Sequence, residues 1–287
     1  MSASHVSTSH AGARHTSASR TAASRTAASQ TGASHTGASL ASPGTTDADA
    51  VASSGHGESR VLGVDACPAG WIAITLSDGR PQAIVGGQIA EVVDAATQAG
   101  PLRAVAIDIP IGLADTGFRQ ADLLARKAAG ARWASVFATP IRGALAFDTY
   151  ADALALSRSV TGSGISAQAF RLREKILQVD DWLRQGGAVC RVVEAHPELS
   201  FAEMAGAPLT DSKATWAGAV RRRALLAAEG IGLSGDLGLA GRRIGVDDVL
   251  DAAAAAWTAR RVARGTARRM PDPPERFSDG IDCAIWT

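Results

Sequence analysis

The chain is short of most residue types that announce a function class. Cysteine occurs at Cys67, Cys190 and Cys283 only, an odd number without metal-type spacing. That argues against a disulfide scaffold or a Cys-based zinc site, and it suits reduced thiols in a cytoplasm. No run of about 18 apolar residues is present, so no membrane span is expected, and no apolar h-region marks a secretory signal. Lysine is confined to Lys127, Lys175 and Lys213, and the formal net charge is +1. No global field therefore draws the chain to nucleic acid, although its positive charge, almost all Arg, is clustered.

Residues 1 to 59 lack large apolar residues almost entirely and contain no acid before Asp47. A five-residue period runs through them, as in Arg20-Thr-Ala-Ala-Ser and Arg25-Thr-Ala-Ala-Ser. The period is too short for a solenoid unit and offers no core position, so a disordered low-complexity tail is expected. The Arg, Ser and Ala content also suits an organelle transit peptide, but the strict repeat spoils an amphipathic helix. Residues 60–287 are enough for one α/β domain with a substantial core.

What is present begins with Val61-Leu62-Gly63-Val64-Asp65, an apolar run closing on a carboxylate. A turn at Ala66–Gly70 and a second apolar run from Trp71 to Leu76 predict a hairpin, with Gln82–Gly86 as a third antiparallel strand. Ile89, Val92, Val93 and Ala96 repeat at helical spacing, and Gly100-Pro101 stops that helix. Arg103 to Pro110 is again an apolar strand closing on an acid, Asp108, and Ala188 to Glu194 is a third. Between the second and third lies a mainly helical insertion, about 112–187, with helices expected over Arg119–Ala131, Tyr150–Val160 and Ala167–Arg184. Ala214–Glu229 and Val246 to about Arg264 read as further helices, 270–280 as a Pro-rich loop, and Ile281–Trp286 as a closing strand.

Asp65 alone has two readings. It caps a turn, as Asp often does, or it is a buried carboxylate needing a partner such as a metal. Three acid-ended strands joined by helical connections should be mutually parallel and should present Asp65, Asp108 and Glu194 on one sheet edge. In the last helix, Asp247, Asp248 and Asp251 share roughly a third of the circumference. The first two suit the helix dipole; Asp251, one turn further in, is harder to explain that way. Clustered carboxylates repel unless cations hold them, and carboxylates with few His suit Mg²⁺ or Mn²⁺ better than zinc. Two such ions, about 3.5–4 Å apart, are the usual device for phosphodiester displacement.

Gly63-Val-Asp65-x-Cys67-Pro-x-Gly70-Trp71, Ile107-Asp108-Ile-Pro110, Ser135-Val-Phe137-x-x-Pro140-x-Arg142, Glu194-x-His196-Pro197-Glu198 and Asp247-Asp248-x-x-Asp251-Ala stand in this order along the chain. Together they resemble a domain-of-unknown-function family described as predicted RNase H-like nucleases, over roughly residues 60 to 287. The resemblance implies an RNase H-like mixed sheet, three antiparallel strands then parallel strands, with flanking helices. It also implies a two-metal carboxylate site with Asp65 bridging both ions, Asp108 holding one, and Asp248 with Asp251 completing the set. Ala66 stands where Gly is as common in the pattern, a departure with little bearing on chemistry.

Secondary candidates carry alternatives. His196 can shuttle a proton to the leaving group or from the attacking water, or can simply shape a turn with Pro197. Glu194 can be a further ligand or can orient His196. Arg142 and Lys213 are candidates for phosphate contacts. Arg119 and Arg126 are further ones, although with Asp122 they also read as an ion-pair set on a helix surface. Arg221–Arg223 and the Arg260–Arg269 stretch can line a nucleic-acid backbone or be solvated helix faces. Trp133, Trp182, Trp216 and Trp257 are expected in the core.

The leading expectation is a metal-dependent nuclease with DNA or RNA as substrate. One alternative is an ATP-binding protein of the actin-like type, which shares the first strand-turn-strand but needs a second Gly-rich phosphate loop that the sequence does not offer. Another is a non-catalytic nucleic-acid-binding or regulatory protein on the same fold.

Overall fold

The computed structural model describes residues 59–78, 80–188 and 190–287. The tail expected over 1–59 lies outside the described residues except for Ser59. Val61–Cys67 (β1) is an apolar run buried along nearly its whole length, as a central strand covered on both faces must be. Gly70, with φ of 122°, closes the turn into Gly70–Ser77 (β2), which pairs antiparallel with β1. Arg80–Gly86 (β3) adds antiparallel to β2 and is mostly half-buried, in keeping with its edge position. The helix Ile89–Gln98 (α1) then buries Ile89, Val92, Val93 and Ala96, the residues whose spacing predicted it.

Ala104–Ile107 (β4) lies parallel to β1. The connection that follows holds Gln120–Ala129 (α2), a 3-10 turn Gly130–Ser135, Arg142–Leu145 (α3), Tyr150–Thr161 (α4), Ala167–Arg171 (α5) and Arg173–Arg184 (α6). Arg191–Ala195 (β5) is parallel to β4. Pro197–Ala205 (α7), Trp216–Ala228 (α8) and Val246–Arg264 (α9) precede a final hairpin, Arg269–Arg276 (β6) and Asp282–Trp286 (β7). Among the described residues, seven strands form one sheet in the order β3-β2-β1-β4-β5-β7-β6. Three antiparallel strands followed by parallel ones, with helices on both faces, make a mixed α/β architecture compatible with an RNase H-like fold.

Two readings of the sequence are corrected. The Pro-rich segment expected as a loop over 270–280 contains β6, because that strand lies at the sheet edge, where a residue without an N–H is tolerated. The helix α7 falls where only a strand end and a turn were expected. Pro197 occupies its first turn, where the missing N–H costs nothing, and Gly206 closes it with φ of 73°.

The period of two along each strand decides which face each residue meets. Val61 and Cys67 of β1, Ala104 and Ala106 of β4, and Val193 and Ala195 of β5 face the layer containing α9, Phe201 and Leu226. Leu62, Val64, Val105 and Ile107 face the opposite layer with α1, Ile176 and Val179. Gly63 is on the α9 side, and a Cβ there would lie 1.9 Å from the Ala256 nitrogen and 2.3 Å from the Ala252 oxygen. Glycine thus lets the helix backbone rest directly on the strand, and the fully buried run Ala252–Ala256 keeps that approach close.

Candidate metal centre

Asp65 and Asp108 continue the α9-facing phase of β1 and β4, two residues beyond Gly63 and Ala106. The two strands stay together at this end, the Asp108 N–H donating to the Val64 carbonyl at 2.9 Å. The contact of α9 with β1 brings Asp251 to the same place. One carboxylate oxygen from each of Asp65, Asp108 and Asp251 lies within 4.8 Å of the others, and Asp65 and Asp251 are buried at 7% and 2% exposure. Asp65 also retains its turn chemistry: its Oδ1 accepts the Ala66 N–H at 2.7 Å. One oxygen thus braces the turn while the carboxylate joins a cluster.

The electrostatics are those of crowded, desolvated acids. Burial, then the charges of Asp108 and Asp251, push Asp65 well above the usual carboxylate range. Burial raises Asp108 to about 7, with Lys213 opposing and Glu198 adding to the rise. Asp251 is raised to about 6 by burial, again against Lys213. The Lys213 ammonium lies 2.5 Å from Asp251 Oδ2. Burial works against its charge, yet Asp251, Asp108 and Asp65 hold it above the ordinary lysine range. The three acids offer hard oxygen donors with excess negative charge, and they can hold a metal ion.

Asp248 lines the same cavity of about 540 Å³ but stands outside the close trio. It serves the start of α9, its Oδ2 accepting the Gly245 N–H at 3.2 Å. Burial and Asp247 raise its pKa.

Glu194, at the end of β5, reaches the same sheet edge and lines the same cavity as Asp65 and Asp108, but on the other face of its strand. It pairs with Ile107, so it falls one residue out of phase with Asp108 and belongs to the opposite face of the sheet. There its two oxygens accept from both terminal nitrogens of Arg119 at 2.9 Å, and Oε2 also accepts the Ile111 N–H at 2.8 Å. Burial raises its pKa while Arg119 lowers it. Arg119 itself is 1% exposed and donates further to Asp122 and to the Ile111 and Gly112 carbonyls. Asp122 in turn accepts the Thr139 N–H at 2.7 Å. The ion-pair set expected on a helix surface is thus a buried clamp, and Arg119 is committed to it rather than to a phosphate.

Other candidates are likewise engaged by the protein. Arg142 is held by Asp180 at 2.6 and 2.9 Å and by Asp279 at 2.6 Å, so its fork grips carboxylates of its own chain. Arg126 donates to the Val136 carbonyl at 2.7 Å. His196 caps α7 and lines the cavity. Its Nε2 lies 3.4 Å from the Ser135 carbonyl, while its buried Nδ1 has no partner. Burial lowers its pKa, against the Ser135 carbonyl and the nearby acids.

The basic stretches are not continuous faces. Arg222 is fully buried between its exposed neighbours, and Arg260 is 7% exposed and donates to the Glu229 carbonyl at 2.6 Å. Of the tryptophans expected in the core, Trp257 is buried and Trp182 packs at the edge of the α1-side core. Trp133 and Trp216, by contrast, are 57% and 82% exposed. Trp133 lies on the short 3-10 turn and Trp216 is the first residue of α8. Glu198 closes the Glu194-x-His196-Pro197-Glu198 motif. It is buried in the same cavity, and Arg222 donates to its Oε1 at 2.7 Å. Pro197 was the signal available in the sequence, because a Pro opening a helix puts the residue after it in the first turn.

A mixed seven-stranded sheet with three carboxylates gathered at the ends of two parallel strands and on one helix defines an α/β protein with a cation-competent acid cluster. The chain belongs to the family described as protein of unknown function (DUF429), whose profile matches residues 63–276. Neither the curated proteins nor the solved structures provide a match.

Proposed function

We propose that the protein is a divalent-metal-dependent nuclease, with Mg²⁺ or Mn²⁺ as cofactor, a pair of ions as its working complement, and DNA or RNA as substrate. The observation that carries this reading is the convergence of Asp65, Asp108 and Asp251 to within 4.8 Å at one rim of the sheet. All-oxygen donors of this kind suit a hard cation, and Asp65, Asp108 and Asp251 would hold it, with Asp248 at the margin. When bound, such ions stabilise the attacking and leaving oxygens of a phosphodiester displacement.

The chain's own groups supply the rest. The neutral His196 can accept a proton at its unpartnered Nδ1, since its Nε2 is turned to the Ser135 carbonyl. Lys213, on a half-exposed side chain at the cavity, can transfer its contact from Asp251 to a phosphate oxygen once a cation neutralises that carboxylate. Arg119 and Glu194, which line the same cavity, brace the segment after β4 at Ile111 and Gly112 and so keep Asp108 in place. Free thiols at Cys67, Cys190 and Cys283 suit a reducing compartment such as the cytoplasm. Among the described residues no helix is long and apolar enough to cross a membrane.

The test is cleavage of single- and double-stranded DNA and RNA by the purified chain with Mg²⁺, Mn²⁺ or chelator. Cleavage should require the metal and should vanish in Asp65→Asn and Asp108→Asn. Cleavage that survives both substitutions unchanged, or its absence on all four substrates, overturns the proposal.

A further inference from the structure

Glu198 is a carboxylate split between two tasks. Its Oε1 accepts from Arg222 at 2.7 Å, with Arg132 further off at 3.6 Å, and Arg222 is fully buried and tied also to the Asp211 and Gly218 carbonyls. The other oxygen, Oε2, is buried and has no hydrogen-bond partner, on a side chain 9% exposed. A buried carboxylate oxygen is costly to leave unsatisfied unless a donor or a cation meets it. The residue lines the cavity that holds Asp65, Asp108 and Asp251, and its charge acts on both Asp108 and Asp251.

Two residues earlier, His196 presents a second buried and unpartnered atom, Nδ1. The Ser135 carbonyl can only accept, so the proton of a neutral His196 sits on Nε2 and Nδ1 offers a lone pair. Both orphan atoms are therefore acceptors, and a ligand that suits them must be electron-poor. A second anion or a carbonyl does not fit; a divalent cation, or water polarised by one, does.

We propose that Glu198 is a fourth carboxylate ligand of the metal centre, binding a divalent cation through Oε2 beside Asp108 and Asp251 while Arg222 fixes Oε1. The inference rests on the metal-dependent reading above. It adds a ligand from α7, an element that the arrangement of acids on β1, β4 and α9 does not include. Arg222 has a positioning role: it holds Oε1 and leaves Oε2 as the oxygen without a partner.

Isothermal titration of chelator-treated full-length protein with Mn²⁺ tests this without reference to cleavage. Glu198→Gln keeps an oxygen for Arg222 but lowers the donor strength at the other position. It should lose one Mn²⁺ equivalent relative to wild type, or raise one Kd by about tenfold or more, the scale seen when groups that support a metal site are removed. Wild-type stoichiometry with every Kd within about tenfold overturns the inference. Asp65→Asn in the same titration separates the two readings. If Asp65→Asn weakens Mn²⁺ uptake and Glu198→Gln does not, only the role of Glu198 falls. If wild type takes up no Mn²⁺, both fall. Thermal melting in chelator checks that Glu198→Gln is folded; should it not be, Glu198→Asp, which retains the charge but withdraws the oxygens by one methylene, is read by the same criteria.

Discussion

Lys213 Nζ and Asp251 Oδ2 are 2.5 Å apart, and this contact makes an ammonium the protein's own counter-charge to its acid cluster. The lysine is half-exposed while the aspartate is almost wholly buried, so the pair is attached to the solvent on one side only. A divalent cation bound by Asp251 would compete with Lys213 for the same oxygen.

Lys213→Met is accordingly expected to act in opposite directions on stability and on metal binding. Without metal, the loss of the counter-charge should cost about 1–2 kcal/mol, between the values for exposed and buried pairs. With Mn²⁺ the competition is gone and affinity should rise. Chemical denaturation with and without Mn²⁺, together with calorimetric titration, measures both; a variant that loses stability and Mn²⁺ affinity together would contradict this account.

The acids also set a pH dependence. Asp108 at about 7 and Asp251 at about 6 lie above the ordinary aspartate value of about 4, so the folded protein binds protons that the unfolded chain has released. Their contribution to stability is complete below about pH 4 and is lost as pH rises through about 6 and about 7. Melting curves of metal-free protein should show this decline between pH 4 and 8 from these groups, and Asp108→Asn should flatten it and raise the melting temperature at pH 8. Saturating Mn²⁺ should remove most of the difference between wild type at pH 6 and at pH 8.

Arg119 should be far more costly to remove than a surface arginine. Arg119→Ala would leave Glu194 and Asp122 buried and facing each other without a cation, a loss of about 3–5 kcal/mol. Arg119→Lys should recover little, because one ammonium cannot reproduce a fork that serves two carboxylates and two carbonyls. Urea denaturation of the two variants distinguishes this from a phosphate-binding role, under which both would be stable.

At Gly63 even one methyl group has no room. Gly63→Ala should cost about 3 kcal/mol or more, or prevent folding, because the atoms in its way belong to the backbone of α9 and cannot rotate aside. Equilibrium denaturation provides the value. A loss under about 1 kcal/mol would mean that the helix can shift from the strand at little expense.

Much of this arrangement was legible in the residues. Apolar runs closing on acids gave β1 and β4 and their direction, and the bounds of α9 follow from Gly245, the acids of its first turn and Gly265 after its last. The spacing of Asp251 from the helix start set it apart from the acids of the first turn, which suit the dipole. The phase of Glu194 was not legible, because β5 is half-covered at its start and its register against β4 is shown only by pairing, not by composition. Arg119 and Glu198 were obscure because charge in a sequence looks solvated until tertiary partners from distant segments are known. The edge strand β6 was hidden behind its prolines, and exposed Trp133 and Trp216 broke the rule that tryptophan belongs inside.

The bare stretch of β1 at Gly63 also bears on how the site is kept in tune. Where a helix and a sheet are spaced by side chains, the spacing drifts as those side chains change size. Between β1 and α9 the spacer is main chain against main chain, of invariant thickness whatever residues surround it. Asp65 and Asp251 are thus mounted on a fixed gauge, and the gap between their carboxylates is insulated from substitutions in the rest of the interior.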